Sequence, residues 1–333
     1  MAKDIPASFR LLQYNLELSD LRLYKVPSKT RAIIICLMII TIVLSSIVME
    51  ALALLPTTPS ALPCSDVYLG YYTLNQSQTI ADSGKGFAVI LYYPEWGQPL
   101  LNPAFIGNHT PMVSLRLDDG SGNSLLQAIG NGSENAQLDS YAAQCKAYGK
   151  PIFFRPGYEM NGNWMPYSGN ATLFVRAWQY MYDRFRQDGV TNVAWVWAPN
   201  YDANNNWIPY YPGNAYCQYV GIDLYNFAPN GILFSQASAS FIKYFEDEKP
   251  IYITETGSAD NASVNKTAFI DDLFTTIESN PDIVGVNWFN LNDTVNSCFQ
   301  GLAFESSSGS LAAWDNGIAS PRFLTNVCTE TNV

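Results

Sequence analysis

The sequence predicts an α/β fold, a single (β/α)8 TIM barrel preceded by an N-terminal transmembrane helix, and three observations carry that prediction. Short runs rich in β-branched and aromatic residues alternate with longer helical or loop-like stretches, the pattern of βα units around a parallel sheet. Eight such runs lie near Val67–Tyr72, Phe87–Tyr93, Pro111–Leu117, Pro151–Pro156, Asn192–Trp197, Tyr219–Tyr225, Pro250–Glu255 and Ile283–Phe289. The chain has 333 residues; setting aside a non-globular N-terminus leaves about 270, the length of one barrel. Within that N-terminus, residues 32–49 (AIIICLMIITIVLSSIVM) carry no charge, enough for a membrane-spanning helix.

Lys25, Lys29 and Arg31 immediately precede the apolar segment, so the positive-inside rule places the N-terminus in the cytoplasm and the barrel on the extracellular face. The predicted layout is a cytoplasmic segment over 1–31, a signal anchor over 32–55, a short stalk over 56–65 and a catalytic-sized domain over 66–333. A signal peptide cleaved near Ala51–Ala61 is the alternative, which would leave the barrel secreted. Seven Asn-x-Ser/Thr sequons, at Asn75, Asn108, Asn131, Asn170, Asn261, Asn265 and Asn292, suit a glycoprotein. Cys36 falls in the apolar segment, leaving Cys64, Cys145, Cys217, Cys298 and Cys328 where disulfides are permitted. Five is odd, so one thiol stays free; a Cys298–Cys328 pair would tie down the C-terminal tail.

Between the barrel strands, Phe174, Ala177, Trp178, Met181 and Phe185 recur at helical spacing, with Asn170 placed as N-cap and Gly189 beyond the end. A second helix is expected through Phe269, Ile270, Leu273, Phe274 and Ile277, and a third over Leu138–Tyr148, closed by Gly149. Hydrophobic residues make up 48% of the chain and aromatics 14%, enough to fill a full-sized core and argue against disorder. Beyond residue 50 there are twelve Lys/Arg against twenty-five acids, a balance that excludes nucleic acid as a partner. The single histidine, His109, is read as an ordinary surface residue, and one histidine cannot furnish a His-based metal site or a Ser-His-Asp triad.

Barrels place their chemistry at the C-terminal ends of the strands. Two carboxylates stand there: Glu159 follows the fourth run in PIFFRPGYEMNGNW, and Glu255 ends the seventh in PIYITETG. A carboxyl pair flanking one bond is what glycoside hydrolysis requires. The bland alternative is a buried ion pair of these acids with Arg155. Aromatic rings that could stack on sugar faces crowd the same ends, at Trp96, Trp164, Trp197, Tyr225 and Trp288, although each could equally pack the core.

The run LDSYAAQCKAYGKPIFFRPGYEMNGNW resembles the acid/base segment of glycoside hydrolase family 26, the β-mannanase family, in which an Arg precedes His-Glu-Met-Asn-Gly and a Trp. TNVAWVWAPN, YYPGNAYCQYVGIDLYN, KPIYITETGS and VGVNWFN are similar to that family's later segments, in order, so the likeness spans roughly Val67 to Asn290. The resemblance implies a retaining clan A glycosidase with Glu159 as acid/base and Glu255 as nucleophile, and with Arg155, Tyr225 and Trp288 shaping the sugar site. Tyr225 could hydrogen-bond one carboxylate and keep it ionised, while the proton donor needs a raised pKa.

Two positions depart from the family pattern. Tyr158 stands in place of a sugar-contacting His, and Asn214 replaces an Asp. The expected activity is endo-hydrolysis of a β-linked polysaccharide, with β-1,4-mannan first, β-1,3-1,4-glucan or β-1,3-xylan as alternatives, and a catalytically silent surface carbohydrate-binding protein as the non-enzymatic one. No metal, cofactor or protein partner is expected.

Overall fold

The computed structural model describes residues 66–227, 231–260, 262–291 and 301–328. The expected cytoplasmic segment, transmembrane helix and stalk lie outside the described residues, as do Cys36, Cys64, Cys298, Asn261 and Asn292. Among the described residues no helix is long and apolar enough to cross a membrane.

Eight parallel strands close into a barrel: β1 Val67–Tyr72, β2 Val89–Tyr92, β3 Thr110–Leu115, β4 Ile152–Pro156, β5 Val193–Trp197, β6 Tyr219–Asn226, β7 Ile251–Ser258 and β8 Ile283–Phe289. They follow one another in sequence order, and β1 pairs with both β8 and β2 to complete the ring. A two-residue strand, β9 (Phe323–Leu324), adds to the start of β1. β6 and β7 run past their expected ends at Tyr225 and Glu255 because they stay paired as far as Asn226 and Ser258.

The helices are α1 Gln76–Ser83, α2 Pro103–Ile106, α3 Leu126–Gly130, α4 Asn135–Tyr148, α5 Ala171–Gln187, α6 Phe234–Phe245, α7 Lys266–Ser279 and α8 Ser308–Ile318. Strand alternation sorts side chains into two buried sets. Tyr68, Met112, Phe153, Val196, Tyr219 and Tyr252 fill the barrel interior. Their neighbours, among them Phe154, Trp195, Trp197, Ile222 and Trp288, face outward onto the helices.

After β5 the barrel has no α-helix. Two 3-10 turns, Ile208–Tyr210 and Asn214–Tyr216, stand there instead, and rings fill the gap. Trp197 packs edge-on against Trp207, Tyr211 and Phe245 at 5.0–6.2 Å.

The helix ends follow local chemistry. Asn170 caps α5 by accepting from Leu173 N at 3.0 Å, and Gly149 ends α4 in the left-handed conformation. Asn75 and Asn265 cap α1 and α7 in the same way, so three of the sequon asparagines have a structural use. His109 is not an ordinary surface residue: it is partly buried, stacked on Phe87 at 3.8 Å with Nδ1 bonded to the Phe87 carbonyl. Cys145 and Cys217 are buried free thiols, and Cys328 is disulfide-bonded.

Replacing Asn170 with Ala leaves the Leu173 amide without its cap, and should lower stability by about 1 kcal/mol in denaturant unfolding.

Candidate active site

The site is built where β4, β6 and β7 end. On β4, Phe153 points into the barrel, so Arg155, two residues on, points the same way one layer higher. Asp223 on β6 has the same parity as Tyr219. Opposite it, β7 carries an irregularity: Ile222 pairs with Ile253, but Asp223 pairs with Glu255, leaving Thr254 as the extra residue. Such a bulge re-aims side chains. Here both Thr254 and Glu255 reach the same buried cluster, Thr254 Oγ1 donating to Asp223 Oδ1 at 2.6 Å.

At its centre lies Arg155, whose Nη2 donates to Asp223 Oδ2 at 2.8 Å and to Glu255 Oε1 at 2.5 Å. Arg155 and Asp223 are wholly buried. Glu255 receives two further hydrogen bonds, from Tyr93 Oη to Oε1 at 2.6 Å and from Tyr225 Oη to Oε2 at 2.8 Å. The Tyr158 ring covers the guanidinium at 4.7 Å and meets the Tyr93 ring edge-on at 5.6 Å.

Glu159 arrives from β4 through a tight turn. Gly157 has φ +62°, and a Cβ there would lie 2.7–2.8 Å from Phe174 and Leu117. Glu159 itself adopts φ 54°, unusual for a residue with a Cβ and a feature that concentrates at functional sites. Its amide bonds to the Ala198 carbonyl at the end of β5. Asn161, two residues on, fastens the turn to the β5–β6 loop by donating to the Asn200 carbonyl at 2.8 Å and accepting from Asn200 N at 2.9 Å. Trp164 folds back so that Nε1 donates to Glu159 Oε2 at 2.8 Å. The ring lies over Gly162, where any Cβ would collide with it at 2.6–2.7 Å.

One oxygen from each of Glu159, Asp223 and Glu255 lies within 4.8 Å of the other two. The three could hold a cation by spacing, but the Arg155 guanidinium already stands between two of them. The proton affinity of Glu159 is pushed up to about 7, by burial first and by the charge of Glu255 second, against the pull of Trp164 and Arg155. Burial likewise raises that of Asp223.

Of the residues singled out by sequence, Glu159, Glu255, Arg155, Tyr158, Tyr225 and Trp164 converge on this cluster. Trp164 is the open ring, 53% exposed. The structure does not bring Trp197 or Trp288 to the mouth. Both are 0% exposed and face the helices, and Trp288 Nε1 is committed to the Leu302 carbonyl at 2.9 Å. A ring with no open face cannot stack on a sugar. Trp96 sits apart, edge-on to Tyr141 and bonded to Glu134. Asn214 lies away from the cluster, bonded to Tyr211 Oη.

Tyr93, Asp223 and Phe289 were not anticipated. Phe289, next to Trp288 and on the opposite face, groups with Tyr72, Tyr93 and Tyr225 at 4.4–6.5 Å. Asp223 had one signal: an acid of the same parity as Tyr225 within an otherwise apolar strand.

The profile of glycosyl hydrolase family 26 matches residues 123–289. Endoglucanase H of Acetivibrio thermocellus is 32% identical over 209 residues, 57% of this chain and 22% of that protein. A mannan endo-1,4-β-mannosidase of Bacillus subtilis is 28% identical over 205 residues, 55% of this chain and 54% of that protein. The match thus spans between a fifth and about half of those relatives. Among solved structures, the catalytic domain of an endo-β-1,4-mannanase from Bacillus sp. JAMB-750 superposes with a TM-score of 0.58 at 17% identity, covering 78% of this chain and 87% of that one. It shares the fold.

Because the Trp164 hydrogen bond favours the ionised form of Glu159, Trp164→Phe should move the carboxyl's midpoint to higher pH. Carbon-detected NMR of the glutamate carboxyls would show a titration centred near about 7 displaced upward in the variant; an unmoved midpoint would contradict the electrostatic account.

Proposed function

We propose that this chain, which belongs to glycosyl hydrolase family 26, is a retaining endo-β-glycanase acting through Glu159 and Glu255. The observation that carries this reading is the spacing of the carboxyl oxygens, within 4.8 Å of one another at the barrel mouth. Such a gap suits the roughly 5–5.5 Å separation at which the second carboxylate reaches the anomeric carbon itself. Inverting pairs stand roughly 6.5–9.5 Å apart to admit a water.

The two environments divide the labour. Glu255 accepts three hydrogen bonds, one from a guanidinium, which hold the carboxyl in place and aimed as a nucleophile. Glu159 is raised to about 7, so a substantial share of it carries a proton at neutral pH. In the first step Glu255 bonds to the anomeric carbon, the glycosidic C–O bond breaks, and the Glu159 proton passes to the leaving oxygen. In the second, Glu159 takes a proton from water, the water oxygen bonds to the anomeric carbon, and Glu255 leaves as carboxylate. Trp164, bonded to the acid and open to solvent, supplies a face on the leaving-group side.

For the sugar, β-1,4-mannan is supported by the mannosidase relative. A second reading, a β-glucan, is favoured by the match to an endoglucanase and by Tyr158, which places a phenol where the family has an imidazole. The polysaccharide is the one partner the site calls for. An extracellular, membrane-anchored location is supported by the uncharged run at 32–49 behind Lys25, Lys29 and Arg31 and by the disulfide at Cys328, a bond of oxidising compartments.

Glu255→Ala and Glu159→Gln should each reduce turnover by several orders of magnitude with an unchanged circular dichroism spectrum. Losses below about tenfold in both would reject the assignment. The kcat/KM profile should fall as pH rises through about 7, where free Glu159 loses its proton; activity rising through that range would assign the acid elsewhere. Incubation with mannan, mixed-linkage glucan and β-1,3-xylan, followed by product sizing, should show release of oligosaccharides from one of them. Binding to a polysaccharide without release would favour a silent carbohydrate-binding protein.

A further inference from the structure

The two oxygens of Glu255 are not equivalent. Oε1 accepts from Arg155 Nη2 at 2.5 Å and from Tyr93 Oη at 2.6 Å. Among the described residues Oε2 accepts only from Tyr225 Oη, at 2.8 Å. A carboxylate oxygen has two lone-pair sites, so among the described residues both of those on Oε1 are occupied while one on Oε2 is open. We infer that Oε2 is the atom that attacks the anomeric carbon, and that Tyr93 is a positioning residue that commits it by saturating Oε1. This rests on the reading of Glu255 as nucleophile and adds which atom acts and what selects it.

Tyr93 stands just beyond β2, far in sequence from both glutamates. Its ring is braced edge-on by Tyr158 at 5.6 Å, and Tyr158 also covers the guanidinium that holds Oε1 from the other side. When Oε2 bonds to the anomeric carbon and the glycosidic bond breaks, Oε1 becomes the carbonyl oxygen of the glycosyl ester, still held by Tyr93 and Arg155. Water then displaces the ester. The Oε2–carbon electron pair returns to Glu255, the negative charge spreads back onto Oε1, and Glu159 takes the water proton.

A donor on Oε1 acts on the two steps with opposite sign. In the first it stabilises a charge that is being lost, so removing it does not slow attack. In the second it stabilises a charge that is being formed, and removing it slows release of the sugar.

The test is Tyr93→Phe, which keeps the ring and its packing, assayed on 2,4-dinitrophenyl β-cellobioside and β-mannobioside, using whichever the unmutated protein cleaves. The expected result is a fall of about tenfold in kcat with a parallel fall in KM, kcat/KM unchanged or raised. Acid-quenched samples should carry the added mass of one covalently bound glycosyl unit. A fall in kcat/KM with KM unchanged or raised and no covalent adduct would mean that Tyr93 only maintains structure. Unaltered kinetics would overturn the inference as well. Failure of the unmutated protein to cleave either glycoside, with Glu255→Ala no different on any polysaccharide, would remove the underlying functional reading too. That outcome is told apart because it appears without the Tyr93 substitution.

Discussion

A single guanidinium, buried without access to water, organises the mouth of this barrel. Stripping an arginine of its hydration is costly, and the cost is tolerable only where carboxylates and other acceptors replace the lost water. Asp223 and Glu255 share one nitrogen of Arg155. Its Nε and Nη1 find no hydrogen-bond acceptor among the described residues, and the π face of Tyr158 lies against the group instead. Every strand end at the site is fixed relative to this charge. β4 carries it, β6 supplies Asp223, and the irregular stretch of β7 delivers both Thr254 and Glu255 to it. Three carboxyl groups facing one guanidinium cannot all ionise cheaply, which is why burial and the charge on Glu255 lift the proton affinity of Glu159.

The contrast between the glutamates follows from their supports. Glu255 sits on a strand and is held by three donors from three strand ends. Glu159 sits on a turn with a left-handed backbone, held by one indole that is itself half open to solvent. In the proposed mechanism the nucleophile needs a fixed line of approach. The proposed acid, which would later serve as base, needs room for a leaving group and then a water, and the open side of Trp164 offers it.

Much of this was legible in the residues. Alternating apolar runs gave the barrel, and the two glutamates fell at strand ends where barrels keep their reactive groups. What could not be read was the facing of individual rings. Trp288 and Phe289 are adjacent in a strand, so only one can face the mouth, and nothing in composition favours the phenylalanine. The choice is made by the register of β8 against β1 and by the Leu302 carbonyl that receives the indole N–H. Trp197 faces outward by strand alternation with Val196, which points into the barrel, and its ring fills the space where no helix follows β5. Tyr93 was hidden for another reason: its partner lies 162 residues away, and a tyrosine after a strand carries no local mark of that distance.

The absence of a helix after β5 has a consequence for how this barrel can vary. A helix counts its length in turns, so gaining or losing one residue rotates every later side chain by about 100° around the axis and unseats the face packed on the sheet. The stretch from Ala198 to Gln218 counts in no such unit. Its anchors are discrete: the Asn161 amide holding Asn200 and Asn206, the nested rings around Trp207, and the Pro212 and Tyr216 carbonyls held by Gln179 and Trp178. Residues between those anchors can lengthen or shorten the rim beside Trp164 without turning any strand, so the segment can vary while the charged cluster beneath it stays still.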